Sequence, residues 1–187
     1  MDFIRICSKE NKYFDEAMKI YESSFPIFEQ RTIKDQIDVL ENNMYYCSVV
    51  CEDDKLIGLI FYWKYENYTY IEHLAIATNL RGQNYGSKIL KAFCEESKNT
   101  ILEIDNPVDE ISIKRLNFYT KLGFKLQKFN HVHPPYRKEY EGHNLKMMSF
   151  GKDLSQEEYD KFNDFLKNEV MKYSKWYNFS KNRSFDY

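Results

Sequence analysis

Apolar positions along the chain alternate between a strand-like period and a helix-like one, and the switches mark its elements. Phe3–Cys7 is a short apolar run that predicts a first strand. From Tyr13 to Phe25, Phe14, Ala17, Tyr21 and Phe25 recur three to four apart, which predicts a helix ended by Pro26. Ile33, Ile37, Leu40 and Met44 mark a second helix, with Thr32 as its N-cap. Tyr45–Cys51 and Leu56–Trp63 are β-branched and aromatic runs flanking the turn Glu52–Lys55, hence a hairpin, and Tyr68–Ile76 is a third such run.

Thr78–Gly86 is polar and punctuated by glycine, and a helical stripe of Ile89, Leu90, Phe93 and Cys94 follows it. Thr100–Ile104 predicts a short strand; Ile113, Leu116 and Tyr119 share a face of another helix, which Gly123 stops. Phe124–Phe129 and Leu145–Phe150 read as the last strands, with the loop His131–Gly142 between them. Ser155 and Glu158 form a capping box, and Tyr159, Phe162, Leu166, Val170 and Tyr173 line a terminal amphipathic helix. The reading is one α/β domain over residues 1–152. A helix and tail, 153–187, pack on that domain or at a dimer interface, so the chain is monomer or homodimer.

Composition narrows the function classes. A net charge of −2 gives no basic field for nucleic acid, and Lys172, Lys175, Lys181 and Arg183 are too scattered to supply one. Four cysteines without Cys-x-x-Cys spacing predict buried free thiols in a reducing compartment. No stretch suits a signal peptide or a membrane span, so the expected location is the cytoplasm.

The segment Leu80-Arg81-Gly82-Gln83-Asn84-Tyr85-Gly86-Ser87 lies between a strand and a helix. Its glycines allow backbone shapes that L-residues avoid, and amides at a helix N-terminus favour an anion such as a diphosphate. Arg81 adds a guanidinium suited to phosphate oxygens. Three glycines of a dinucleotide fingerprint and the Lys-Ser/Thr pair of a triphosphate loop are both missing.

Arg81–Gly86 resembles the Gln/Arg-x-x-Gly-x-Gly/Ala loop of the GNAT superfamily of acyl-CoA N-acyltransferases. Tyr70–Ile76 resembles that family's fourth strand, and Asn117–Phe124 its "FYxKLGF" segment. The resemblance implies a splayed, mixed, mainly antiparallel sheet with helices on both faces. It also implies acetyl-CoA as acyl donor and a small-molecule or peptide amine as acceptor. Arg81, Gly82, Gln83, Asn84, Tyr85, Gly86 and Ser87 would bind the diphosphate, and the amides of Leu74, Ala75 and Ile76 the pantetheine and thioester. Ser112 stands where many members place an asparagine that touches the pantetheine arm.

Aminolysis of a thioester needs a neutral amine and a protonated leaving thiol, hence a base and an acid. Glu72 and Glu103 are carboxylates inside otherwise apolar strands, where burial would raise their pKa and suit them as bases. Strand alternation sets Glu72 on one face with Tyr70, Leu74 and Ile76. The resemblance implicates either glutamate. By the same resemblance Tyr119 is the acid at the CoA sulfur. His133 and Tyr136, the latter presented by Pro134-Pro135, are expected to border the acceptor pocket. His131 and His133 could share a face toward a metal, but no third ligand is placed by sequence, so none is expected. No cysteine is placed for a covalent intermediate, so direct attack in a ternary complex is expected. A non-catalytic CoA-binding domain and a nucleotide-binding protein are the competing readings.

Overall fold

The computed structural model describes residues 1–174 of the 187. Lys175, Lys181 and Arg183 of the basic tail lie outside the described residues. Strands β1 (Asp2–Ile6), β2 (Tyr45–Glu52), β3 (Lys55–Tyr65), β4 (Tyr68–Ile76), β5 (Thr100–Asp105), β6 (Lys125–Leu126), β7 (His131–His133) and β8 (His143–Phe150) form one sheet. Its order is β1-β2-β3-β4-β5-β8-β6, with β7 also on β8. All neighbours run antiparallel except β4 and β5.

Helices α1 (Phe14–Ser24), α2 (Ile33–Val39) and α5 (Gln156–Phe165) serve one face, where Phe14, Val39, Tyr45, Trp63, Tyr70 and Phe162 share a core. Helices α3 (Tyr85–Ser97) and α4 (Glu110–Lys121) serve the other, where Ile89, Phe93, Ile71, Leu102 and Phe124 share a second core. The face of α4 is less apolar than its spacing suggests, because Ile113 is exposed. The run Phe124–Phe129 pairs only over Lys125–Leu126, and the loop after it contributes the short strand β7. Beyond α5 the chain winds through Leu166–Val170 and Met171–Tyr173, and Phe162, Phe165, Leu166 and Val170 all enter the first core.

One parallel junction positions the site. β4 and β5 pair only at Thr69↔Thr100, Tyr70↔Ile101 and Ile71↔Leu102. Past that point their edges lose each other, and Glu72 and Glu103 are the first residues on either side of the gap. A bulge accompanies the parting: Tyr62 opposes Ile71 and Phe61 opposes His73, so Glu72 is the extra residue. The bulge corrects the simple alternation. Glu72 stays on the face of Tyr70, whereas Leu74 and Ile76 turn to the second core.

Candidate active site

One end of the cleft is built at the start of α3. Gly82 has φ +78° and Asn84 φ +63°, a left-handed entry that leaves the helix without a side-chain cap. None of the amides from Gly82 to Ser87 donates to a backbone or side-chain acceptor among the described residues. These unmatched donors at a helix N-terminus suit an oxyanion ligand. Gly86 faces Phe118 at 3.4 Å from a would-be Cβ, so a larger residue would crowd α4. Arg81 is braced by Nε donation to the Ile76 carbonyl at 3.1 Å and Nη2 donation to Ser24 Oγ at 2.9 Å. A cavity of about 400 Å³ over this loop includes Gly82, Asn84, Tyr85, Gly86 and Ser87 in its lining. Gln83 turns aside and donates to the Asn79 carbonyl at 3.1 Å.

That cavity meets a second, of about 570 Å³, at Ile76 and Arg81. The second fills the gap between β4 and β5 and reaches Leu74, Ala75, Glu72, Glu103 and Tyr119. Ala77 N–H donates to Ile57 on β3 at 2.9 Å, so alternation turns the N–H groups of Leu74 and Ile76 toward the gap and that of Ala75 away. Tyr119 is held by the end of α4. Gly123, at φ +96°, donates to Thr120 O at 3.0 Å and Phe124 N to Tyr119 O at 3.1 Å, a Schellman stop. The Tyr119 ring packs on Phe118 and Phe124, and its hydroxyl has no hydrogen-bond partner among the described residues. Burial pushes its pKa up to about 12, against the pull of Arg115.

A third, smaller cavity of about 80 Å³ adjoins the second through Phe28, Glu29, Glu72, Glu103, Asp105 and Arg115. It is lined by His133, Pro134, Pro135 and Tyr136 as well, so the loop anticipated to border an acceptor does reach the same cleft as both glutamates.

The glutamates are not placed as burial alone predicts. Arg31 forks onto Glu72 with distances of 2.8 and 2.7 Å, Trp63 Nε1 donates to it at 3.1 Å and the Tyr136 hydroxyl at 2.6 Å. Burial would raise this carboxyl, but Arg31, His73 and the hydrogen bond from Tyr136 outweigh it and hold the pKa down to about 2. Glu103 accepts from the Tyr70 hydroxyl at 2.5 Å and contacts His131 Nε2. Burial is again the largest influence, and the fields of His133 and His131 with the hydrogen bonds from His131 and Tyr70 reverse it, to about 2. The anticipated rise is therefore corrected in direction for both: Glu72 accepts four hydrogen bonds, and each oxygen of Glu103 is engaged once. The two imidazoles of β7 are likewise engaged, His131 with Glu103 and Tyr159, His133 with the Pro134 carbonyl and Tyr136.

Ser112 is also corrected. It is buried at the N3 position of α4, where its Oγ accepts from Val108 and Asp109 N–H at 3.1 Å and donates to Asp109. It completes the capping box begun by the N-cap Asp109 and lines none of the three cavities. The signal was local, since Asp109-x-x-Ser112 is itself a capping pair. No cysteine lines them either, and Cys94, bonded to Thr100 at 3.9 Å, is pushed up to about 11 by burial.

Sequence reasoning missed Glu29. It closes a 3₁₀ turn, Ile27–Glu29, in a stretch without period, and it lines both the gap and the third cavity. Burial, then repulsion from Asp105 and Glu103, raise its carboxyl to about 7, with Arg115 opposing. Pro26 directly before that turn was the available signal, as a residue that fixes the chain's entry.

A sheet parted at one parallel junction, with free amides at the far end of the gap, matches the splayed sheet and anion-binding loop that the resemblance implies. The chain belongs to the GNAT acetyltransferase family, whose family model matches residues 11–124. Among solved structures it is similar to a Bacteroides thetaiotaomicron protein assigned to that family as an acetyltransferase. The two are 28% identical with a TM-score of 0.85, over 91% of this chain and 98% of that one. A Bacillus subtilis acetyltransferase solved in complex with CoA shares the fold at 17% identity and TM-score 0.52, over 73% of this chain and 91% of that one. The curated relative YjbC of Bacillus subtilis, named as an acetyltransferase, is 27% identical over 77 residues, 40% of each chain. This chain thus spans 40% of that relative's length. Among the described residues no helix is long and apolar enough to cross a membrane.

Proposed function

We propose that this protein transfers an acetyl group from acetyl-CoA to a primary amine by direct attack within the cleft. The observation that carries this reading is the continuity of three cavities, from the free amides at Gly82–Ser87, past Tyr119 at the gap, to the pocket of His133 and Tyr136. Along that path the amides and Arg81 hold the diphosphate, and the N–H groups of Leu74 and Ile76 polarise the thioester carbonyl. Donors aimed at a developing oxyanion are commonly worth about 3–4 kcal/mol. The Tyr119 phenol keeps its proton throughout the working pH range and hydrogen-bonds the sulfur as it gains charge. Glu72 and Glu103 act as fixed anions that shape the pocket for a cationic acceptor.

An amine-dependent release of free thiol from acetyl-CoA, read across alkylamines, polyamines and lysyl peptides with mass detection of the acetylated product, tests this. Saturable CoA binding with no thiol release from any amine would favour a non-catalytic binding domain. Tighter binding of ATP than of CoA would point to a nucleotide site.

A further inference from the structure

Among the carboxylates that line both the gap and the third cavity, Glu72, Glu103 and Asp105 are committed. Glu72 holds Arg31, Trp63 and Tyr136, Glu103 holds Tyr70 and His131, and Asp105 pairs with Arg115 at 2.5 Å and His143 at 3.5 Å. Glu29 is different. Its carboxylate makes no hydrogen bond to a described residue, and His143 Nδ1 comes only to 3.8 Å. Its backbone is nevertheless fixed. His73 Nε2–H donates to its carbonyl at 2.9 Å, Gln30 Nε2 donates to the carbonyls of Glu22 and Phe25 at 3.1 and 2.6 Å, and Arg137 Nε donates to the Gln30 carbonyl at 3.0 Å. A free acceptor on a braced turn, at the junction of the two cavities, has the geometry of a proton-transfer group.

We infer that Glu29 is the general base of the transfer, receiving a proton from the acceptor ammonium where the two cavities meet; this rests on the transferase reading above. The balance is simple. The Glu29 carboxylate takes one proton from R–NH3+, and the freed lone pair forms the N–C bond to the thioester carbon. The C–S bond then breaks with its electron pair on sulfur, hydrogen-bonded to Tyr119. The nitrogen's second proton reaches that sulfur through solvent, giving amide and thiol, while Glu29 returns its proton to water.

The groups facing Glu29 tune it for this task. Asp105 and Glu103 from β5, Arg115 from α4, His143 from β8, and Glu72 and His73 from β4 surround it. Burial is the largest influence and Asp105 the next, so the carboxyl titrates at about 7. His73, depressed to about 4 by its own burial, stays neutral and adds no charge there.

The test compares wild type, Glu29→Gln and Glu29→Asp as full chains, with acetyl-CoA and the fastest amine of the panel, from about pH 5.5 to 9. The expected result is an acid limb near pH 7 in wild-type kcat/KM, absent in E29Q. E29Q should also lose about 10²-fold or more in kcat, with CoA affinity changed by less than about twofold. E29D should keep the limb at an intermediate rate. An E29Q enzyme that retains the limb and most of its kcat would overturn the inference while leaving the transferase reading intact. A wild type that releases no thiol with any amine would overturn both.

Discussion

Arg31 and Glu72 form a two-pronged ion pair, 2.8 and 2.7 Å, at the residue where β4 leaves β5. Both side chains are fully buried, at 0% and 1% exposure. Removing one partner of such a pair costs about 3–5 kcal/mol, because the other charge is left stranded. Glu72→Gln keeps one acceptor oxygen, for Trp63 or for Tyr136, and strands Arg31; Arg31→Met strands Glu72. Each single variant should lose about 3–5 kcal/mol in urea unfolding, and R31M/E72Q should recover more than half of the summed loss. Additive losses in the double variant would mean that the two side chains act independently.

The pair also shows what could be read from sequence. The strand holding Glu72, the loop Arg81–Ser87 and the helix ending at Gly123 are local patterns, so they were legible. Tyr119 was legible only through the resemblance of Asn117–Phe124 to a family segment, being otherwise one of sixteen tyrosines. The state of Glu72 was not, since Arg31 lies 41 residues upstream in a stretch without period. The state of Glu103 depends in the same way on His131, in a segment that reads as loop. A bulge of one residue at Glu72 has no hydrophobic signature, yet it decides which face Leu74 and Ile76 take. Glu29 was invisible for a related reason: its role arises from Asp105, Glu103 and Arg115, which are brought to it only by the fold.

Opposite pKa shifts should give the stability curve two slopes. Glu72 and Glu103 fall from 4.5 to about 2 on folding, so the unfolded chain binds more protons between those values. Their contribution is complete above about pH 5 and is lost as pH falls toward 2. Glu29 rises from 4.5 to about 7, so the native chain binds the extra proton there and stability declines as pH rises through that window. His73, lowered from 6.5 to about 4, opposes that decline up to about pH 6.5, so urea midpoints should climb from about pH 2 to 4.5, level off to about 6.5 and fall beyond it, and E29Q should be stabilised relative to wild type at pH 8 but not at pH 4. An E29Q chain no more stable than wild type at pH 8 would contradict the raised carboxyl.

The two glycine-loop and cap assignments separate cleanly. Gly82 sits at φ +78° with nothing within 4 Å of a would-be Cβ, so Gly82→Ala costs only backbone strain, about 1–2 kcal/mol. If the strain is relieved by turning the free amides, CoA affinity should fall about 5–30-fold with the fold intact. Ser112→Ala removes the N3 half of the capping box, leaves Asp109 as N-cap, and should cost toward the low end of about 0.5–2 kcal/mol in stability while leaving CoA affinity unchanged. Isothermal titration on both variants decides it; a large affinity loss in S112A would restore Ser112 to the donor site.

Tyr119→Phe probes the leaving-group end. Its ring is held by Phe118 and Phe124 and by the Schellman stop at Gly123, none of which involves the hydroxyl. The substitution should therefore leave the unfolding midpoint and CoA binding nearly unchanged. What it removes is a donor that, at a pKa of about 12, remains protonated as the thiolate departs. General acid–base groups contribute about 10²–10⁴-fold, and a donor that supplies a hydrogen bond more than a full proton belongs at the low end, so kcat should fall about 10²-fold. Because the missing interaction forms only as charge gathers on sulfur, kcat and kcat/KM should fall together. The deficit should shrink with acyl donors whose thiol leaving group is more acidic, since a stable thiolate needs less help. A deficit that stays constant across such donors would place the phenol in substrate binding and not in departure of the sulfur.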